Sequence, residues 1–219
     1  ETIDFQRSKK YIQEFSNNMK TIGTPKITNY KGKPYTKITW ITDFKRFDIT
    51  NFNDDMINLM TRRVYDIAGI TNQKVNVYLN DKKLSVNTFD KYSKMYLEKS
   101  DEFIYEELID NNIPWKIGIS LSSSDKFEQI SFVNGISNPK GGKHVDMITK
   151  QITSGIKKII MKKNKKDINE NYIKNYLRIF IDCLIVNPSF DSQTKERLIT
   201  TPSKFGSKPI INDKFLKRI

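Results

Sequence analysis

One cysteine and one histidine are all that this chain of 219 residues offers to soft-metal chemistry. With only Cys183, no disulfide can close within the chain, which fits a reducing compartment such as cytosol or nucleus. Cys183 sits inside the apolar run "IFIDCLIV" and reads as buried filler rather than as a nucleophile. His144 alone cannot build a zinc site, and no serine partner for a histidine-based triad suggests itself. Packing, or a hydrogen bond near the first turn of its helix, is the expected role, and no metal site is expected from these residues. No apolar stretch reaches the roughly 18 residues of a membrane span, and no secretory signal opens the chain, so no membrane partner is expected. Repeats and low-complexity tracts are missing as well. Glycine is scarce, at nine residues, and the pair Gly141-Gly142 lacks the longer spacing of a P-loop or dinucleotide fingerprint. It fits an anion cradle at a helix N-terminus or a turn that needs positive φ.

Positive charge is in excess. Lys and Arg number 38 against 25 Asp and Glu, a formal net charge of +13. A field of that sign attracts phosphates, anionic membranes or acidic proteins, with plain solubility as the bland alternative. Hydrophobic residues at 37% and charged residues at 29% argue for a folded chain with a well-solvated surface, and the length suits one large domain or two small ones. Glu1 rather than Met opens the sequence, so a fragment or processed piece is expected.

Periodicity gives a coarse architecture. "KKYIQEF" and "YTKITWIT" read as strands joined by a turn at "NYKGKPY"; Thr36, Ile38 and Trp40 alternate with polar neighbours. From Asn53 to Ile70 the period becomes helical, with Met56, Leu59, Met60, Arg63, Val64 and Ile67 on one stripe and Gly69 as the C-terminal stop. "KVNVYLNDKKLSV" reads as a hairpin turning at Asn80-Asp81. Thr88 to Asn112 is polar with a short helix at "FDKYSKMYL", a connector into a second unit. There Trp115, Ile117, Ile119 and Leu121 alternate, and Ile130 and Phe132 carry a return strand. "NPKGGK" reads as a flexible loop. A long helix from about His144 to Lys163 follows, its stripe being Val145, Ile148, Ile152, Ile156, Ile159 and Ile160. "YLRIFIDCLIV" suits a strand buried on both faces, and the chain closes on the basic tail "INDKFLKRI".

Two charged motifs stand out. Lys162, Lys163, Lys165 and Lys166 crowd the end of the long helix, where cations complement the helix dipole. Their spacing also suits sequence-independent contact with a phosphate backbone. Without interleaved aromatics, a base-stacking platform is disfavoured. In "NPSFDSQTKERL", Asp191 or Ser192 can cap a helix whose first turn would hold Gln193 and Lys195. A cation there opposes the macrodipole unless Glu196 offsets it. An amide and an ammonium reaching outward from such a turn could jointly hold a terminal phosphate.

The motifs "RRVYDIAG", "ISFVNGISNPKGGKHVD", "KKNK" and "NPSFDSQTKERL…SKFGS" occur in the order found in eukaryotic-type DNA topoisomerase II, and the resemblance runs over essentially the whole chain. It implies an α+β fold of two α/β-layer units. Residues 1–88 would be the C-terminal part of the ATPase domain of the gyrase, chaperone and mismatch-repair (GHKL) superfamily. Residues 89–219 would be a transducer domain similar to the second domain of ribosomal protein S5. It implies that Gln193 and Lys195 contact the γ-phosphate of ATP across the domain boundary. It also implies that Lys162, Lys163, Lys165 and Lys166 form a loop facing double-stranded DNA. Met161 departs from the lysine run of the family at that loop.

The family's glycine-rich ATP lid, its Mg²⁺-binding asparagine, its general-base glutamate and its DNA-cleaving tyrosine match no segment of this chain. The resemblance therefore implies ATP and Mg²⁺ as cofactors held mostly elsewhere, a homodimeric parent enzyme, and no turnover of ATP or DNA by this piece alone. It implies a nucleus, or a viral replication site in the cytoplasm. Two other readings stand beside it. A stand-alone basic nucleic-acid-binding module leaves Gln193 and Lys195 unexplained. A chaperone or mismatch-repair ATPase lacks the "FDSQTKE" setting.

Overall fold

The computed structural model describes residues 1–219, and the chain divides into two compact units, residues 1–57 and 58–219. In the first, β1 (Thr2–Asp4), β2 (Lys9–Ile12) and β5 (Lys26–Asn29) form an antiparallel sheet in the order β1-β2-β5. The short hairpin of β3 (Phe15–Ser16) and β4 (Thr21–Ile22) is inserted between the last two.

The strand expected over Tyr35–Thr42 does not form. Ile3 N–H donates to the Tyr35 carbonyl at 3.0 Å, and a single bridge joins Thr2 to Thr36. Beyond it the backbone leaves the sheet edge, with Ile38 85% and Ile41 93% exposed. Alternation records which side chains a strand would bury, but a strand also needs a neighbour for its backbone groups, and Lys37, whose N–H donates to the Glu1 carbonyl at 2.8 Å, is the last residue of the segment to find one.

Helix α1 (Asp54–Ile70) carries the expected element but turns a different face inward. Leu59, Met60 and Ile67 are exposed, whereas Asp66, Ala68 and Gly69 are buried. Gly69 lies within the last turn rather than stopping it. A Cβ there would stand 2.5 Å from Tyr92 Cβ, so glycine is required by the approach of the neighbouring helix. The hairpin β6 (Tyr78–Leu79) and β7 (Lys82–Lys83) turns at Asn80-Asp81, both at positive φ as a tight two-residue turn requires.

The segment read as a polar connector is part of the core. Helix α2 (Phe89–Lys94), capped by Thr88, buries Phe89, Tyr92 and Ser93. The following β8 (Phe103–Asp110) is an edge strand that Glu106, Glu107 and Asp110 disguised. The Tyr92 hydroxyl donates to Asp66 Oδ1 at 2.6 Å, and Arg63 holds Oδ2 of the same carboxylate at 3.0 Å. That contact gives the "RRVYDIAG" motif a structural role: it docks α1 on α2.

A five-stranded sheet organises the rest, in the order β11-β10-β12-β9-β8, with β9 (Ile113–Leu121), β10 (Glu128–Val133), β11 (Ile136–Ser137) and β12 (Leu177–Cys183). The return strand expected beside β9 is displaced. β12 enters between them, parallel to β10 and antiparallel to β9. The crossover from β10 to β12 contains α3 (Lys143–Asn164) and α4 (Glu170–Asn175), as parallel pairing demands.

Every residue of β12 is buried, and the two layers it separates explain why. Leu177, Ile179, Ile181 and Cys183 pack with Val145, Ile148 and Ile152 of α3. Phe180 faces the other way, into an aromatic layer with Phe89, Tyr92 and Phe132. Each fully buried Ile or Phe contributes about 1.5–3 kcal/mol. Two polar residues share the Phe180 face. Arg178 pairs with Glu128 on β10 and also donates to the Tyr96 carbonyl at 2.8 Å and Ser123 Oγ at 2.7 Å. Asp182 accepts from Lys116 of β9 at 2.8 Å. Burial pushes Glu128 up, but Arg178 and Ser124 outweigh it and hold its carboxyl below the usual range; for Asp182 burial wins over Lys116 and raises it. The basic tail ends in α5 (Asp213–Leu216), which buries Phe215 and Leu216 in the same core as α3. No helix is long and apolar enough to cross a membrane.

Candidate functional site

Gln193 and Lys195 do not sit on a helix. Residues 191–197 form a tight loop closed by an antiparallel bridge between Phe190 and Leu198 and by Asp191 N–H donating to the Arg197 carbonyl at 3.1 Å. Lys195 takes the left-handed conformation at φ +58°, where a helix cannot continue. Its N–H donates to the Ser192 carbonyl at 3.0 Å. The dipole argument against a lysine here therefore lapses, because no macrodipole is present. Gln193 is exposed at the tip and Lys195 is half-buried, its ammonium 5.9 Å from the centre of the Phe190 ring. Glu196 does not offset Lys195, because it pairs with Lys140 instead.

The loop is strapped to the "NPKGGK" segment, in which Asn138, Gly141 and Gly142 are buried and Pro139, Lys140 and Lys143 are exposed. Lys140 N–H donates to the Glu196 carbonyl at 3.1 Å, Leu198 N–H to the Gly141 carbonyl at 3.0 Å, and Lys143 N–H to the Leu198 carbonyl at 3.1 Å. Gly141 and Gly142 adopt φ of +64° and +137°. A Cβ on Gly142 would lie 2.3 Å from the Leu198 carbonyl oxygen. The glycine pair thus serves a positive-φ turn and the seating of the 191–197 loop. Beside that loop a cleft of about 300 Å³ is lined by Arg62 and Arg63 of α1 together with Thr194 and Glu196. The sequence placed Arg63 only on the helical stripe of α1 and assigned neither arginine to a site, because only the fold brings them to the loop.

His144 follows directly in the first turn of α3. It is fully buried, and neither ring nitrogen has a hydrogen-bond partner. Burial holds its pKa down to about 3, so it is a neutral packing residue. Cys183 is buried as well, and burial pushes its thiol up, the opposite of what a nucleophile needs.

At the far end of α3 the lysine cluster divides between helix and loop. Lys162 and Lys163 lie in the last turn, and Lys165 is the left-handed C-cap, its N–H donating to the Met161 carbonyl at 3.0 Å. These three and Lys166 are exposed. The nearest acids in sequence are engaged elsewhere: Asp167 pairs with Lys157 at 2.8 Å, and Glu170 accepts from Ser154 at 2.9 Å. The tip charge is therefore not drawn into any ion pair, though Asp167 and Glu170 keep their own charge nearby. It continues along the helix, where Lys143, Lys150, Lys158 and Lys162 edge a groove of about 890 Å³. Their spacing of seven, eight and four residues signals one helical face, a pattern that the run at the tip overshadowed.

These features describe an α+β unit in which one long helix joins a lysine-bearing loop to a basic tip. The sequence profile of the DNA gyrase B family matches residues 70–219, and the chain belongs to that family. Over its whole length it is 43% identical to the probable DNA topoisomerase 2 of Dictyostelium discoideum, of which it spans 14%. It is 42% identical to the DNA topoisomerase 2 of Acanthamoeba polyphaga mimivirus, spanning 17% of that protein. The ATPase region of Saccharomyces cerevisiae topoisomerase II superposes with a TM-score of 0.89 at 42% identity, over 99% of this chain and 55% of that one. The ATPase and transducer domains of DNA topoisomerase II from Balamuthia mandrillaris give 0.89 at 38% identity, over 99% and 56%. The resemblance drawn from the ordered motifs and the α+β fold it implied both stand.

Proposed function

We propose that this chain is the part of an ATP-dependent type II DNA topoisomerase that couples nucleotide occupancy to the passage of double-stranded DNA through a homodimeric gate. In this reading residues 1–88 complete a GHKL ATPase domain and residues 89–219 are the transducer. The observation that carries it is Lys195: a half-buried cation whose neighbouring carboxylate is diverted to Lys140, on a loop strapped by backbone hydrogen bonds to the start of α3.

ATP with Mg²⁺, when bound, supplies a terminal phosphoryl group and its negative charge. Lys195 balances that charge and Gln193 donates a hydrogen bond from its exposed amide. Because these groups are fixed on the loop, an anion they grip favours one placement of the loop over others, which is how a ligand biases a switch between rigid bodies. Lys195 also stabilises charge that develops during phosphoryl transfer. Lys162, Lys163, Lys165 and Lys166 contact the DNA backbone. The nucleus is the expected compartment, and the likeness to a mimivirus protein supports a viral replication site as the alternative.

In the full-length protein, Lys195→Ala is expected to lower ATP turnover on the order of 100-fold and strand passage with it, with little change in folding. Unaltered ATPase rates in that variant would overturn the reading.

A further inference from the structure

We propose that Asn138 is a positioning residue for Lys195, setting the direction in which the ammonium points. The inference rests on the reading of Lys195 as a phosphate contact. Asn138 is fully buried at the start of the glycine-rich segment, and its Nδ2 donates to the Lys195 carbonyl at 2.8 Å. Only the N–H side of an amide can meet a carbonyl, so the orientation of this side chain is fixed by chemistry. Its Oδ1 is thereby left buried with no partner, a cost that a residue serving packing alone would shed.

The anchor itself is rigid. Asn138 N–H donates to the Ser131 carbonyl of β10 at 2.8 Å, and its carbonyl accepts from Gly141 N–H at 2.8 Å and from Gln129 Nε2 at 3.2 Å. Lys195 occupies a backbone region that non-glycine residues seldom adopt. Its N–H is tied within the loop to Ser192 and its carbonyl to Asn138. Without the second tie the 195–196 peptide is free to rotate, and the residue can relax to a commoner conformation that swings its side chain away. Because the amide acts on the backbone of Lys195 and not on any ligand, its removal affects only what the ammonium reaches.

That distinction sets the test. In the full-length protein, Asn138→Asp keeps the shape but replaces the donor with an oxygen that repels the carbonyl. Asn138→Ala removes the amide without adding charge, and serves in its place if the Asp variant does not fold. Binding of the β,γ-imido analogue of ATP is expected to weaken about tenfold in either variant, while binding of ADP, which lacks the terminal phosphoryl group, stays within about twofold. Adding Asn138→Ala to Lys195→Ala is expected to cost nothing further. Equal losses for both nucleotides, or additive losses in the double variant, would mean a general structural role and overturn the inference. So would an unaffected Asn138→Ala beside a Lys195→Ala that does weaken the analogue. If Lys195→Ala itself leaves the analogue's affinity unchanged, the phosphate reading falls and the inference with it.

Discussion

Gly142 and Leu198 meet backbone to backbone, joined by a parallel bridge, with an added Cβ placed 2.3 Å from the Leu198 carbonyl oxygen. The 191–197 loop rests on the start of α3 at this point, and only a residue without a side chain, free to take φ +137°, fits there.

Gly142→Ala is therefore expected to destabilise the protein by about 2–3 kcal/mol, through strain at that φ and through displacement of Leu198. Thermal unfolding measures the first effect. Faster exchange of the Leu198 and Lys143 amide hydrogens, against unchanged protection in β12, measures the second. A variant that keeps wild-type protection at both amides would show that the strap does not depend on this contact.

Neutralising Lys162, Lys163, Lys165 and Lys166 to Gln is expected to reduce the slope of log affinity for DNA against log salt by up to about 0.9 per lysine. The loss should be the same for unrelated DNA sequences, because lysines on a helix end contact phosphate rather than bases. An unchanged slope would remove the tip from the DNA contact.

His144 makes stability depend on pH. Its folded pKa of about 3 lies below the ordinary 6.5, so below pH 6.5 the unfolded chain takes up a proton that the folded chain refuses. Stability thus falls as pH drops from 6.5 towards 3, by up to about 1.4 kcal/mol per pH unit, and is unaffected by this group above that window. His144→Leu is expected to flatten the profile between pH 6.5 and 5, where most carboxylates are still charged. Denaturant midpoints measured across that range check it, and a slope retained in the variant would assign the dependence to another group.

What could be read in advance follows the reach of each interaction. β12 was legible because two packed layers demand a continuous apolar run, and α3 because its buried stripe repeats along its own sequence. The 35–42 segment misled because alternation says nothing about whether a neighbour exists to pair with it. Gly69 misled because a glycine near a helix end suggests a stop, while its real cause is Tyr92, a residue on another helix. Arg178 stayed hidden since its partners Glu128 and Tyr96 lie 50 and 82 residues away in the chain. At the candidate site the residue types were legible, but the geometry was not. Asp191 and Ser192 are capping residues, yet the left-handed Lys195 ends any helix before it starts, and the amide that fixes it comes from 57 residues upstream.

Helix α3 contains 22 residues, hence about 33 Å from end to end. The strapped glycines lie at one extremity and the lysines without an ion-pair partner at the other. A rod of that length amplifies motion: when the unit that holds it turns by about 10° about the glycine end, the opposite extremity is carried about 6 Å, nearly twice the rise of about 3.4 Å between successive phosphates of one DNA strand. A small rotation of the whole unit, which leaves the packing of α3 on β12 intact, can therefore shift the basic extremity by more than one step along a duplex.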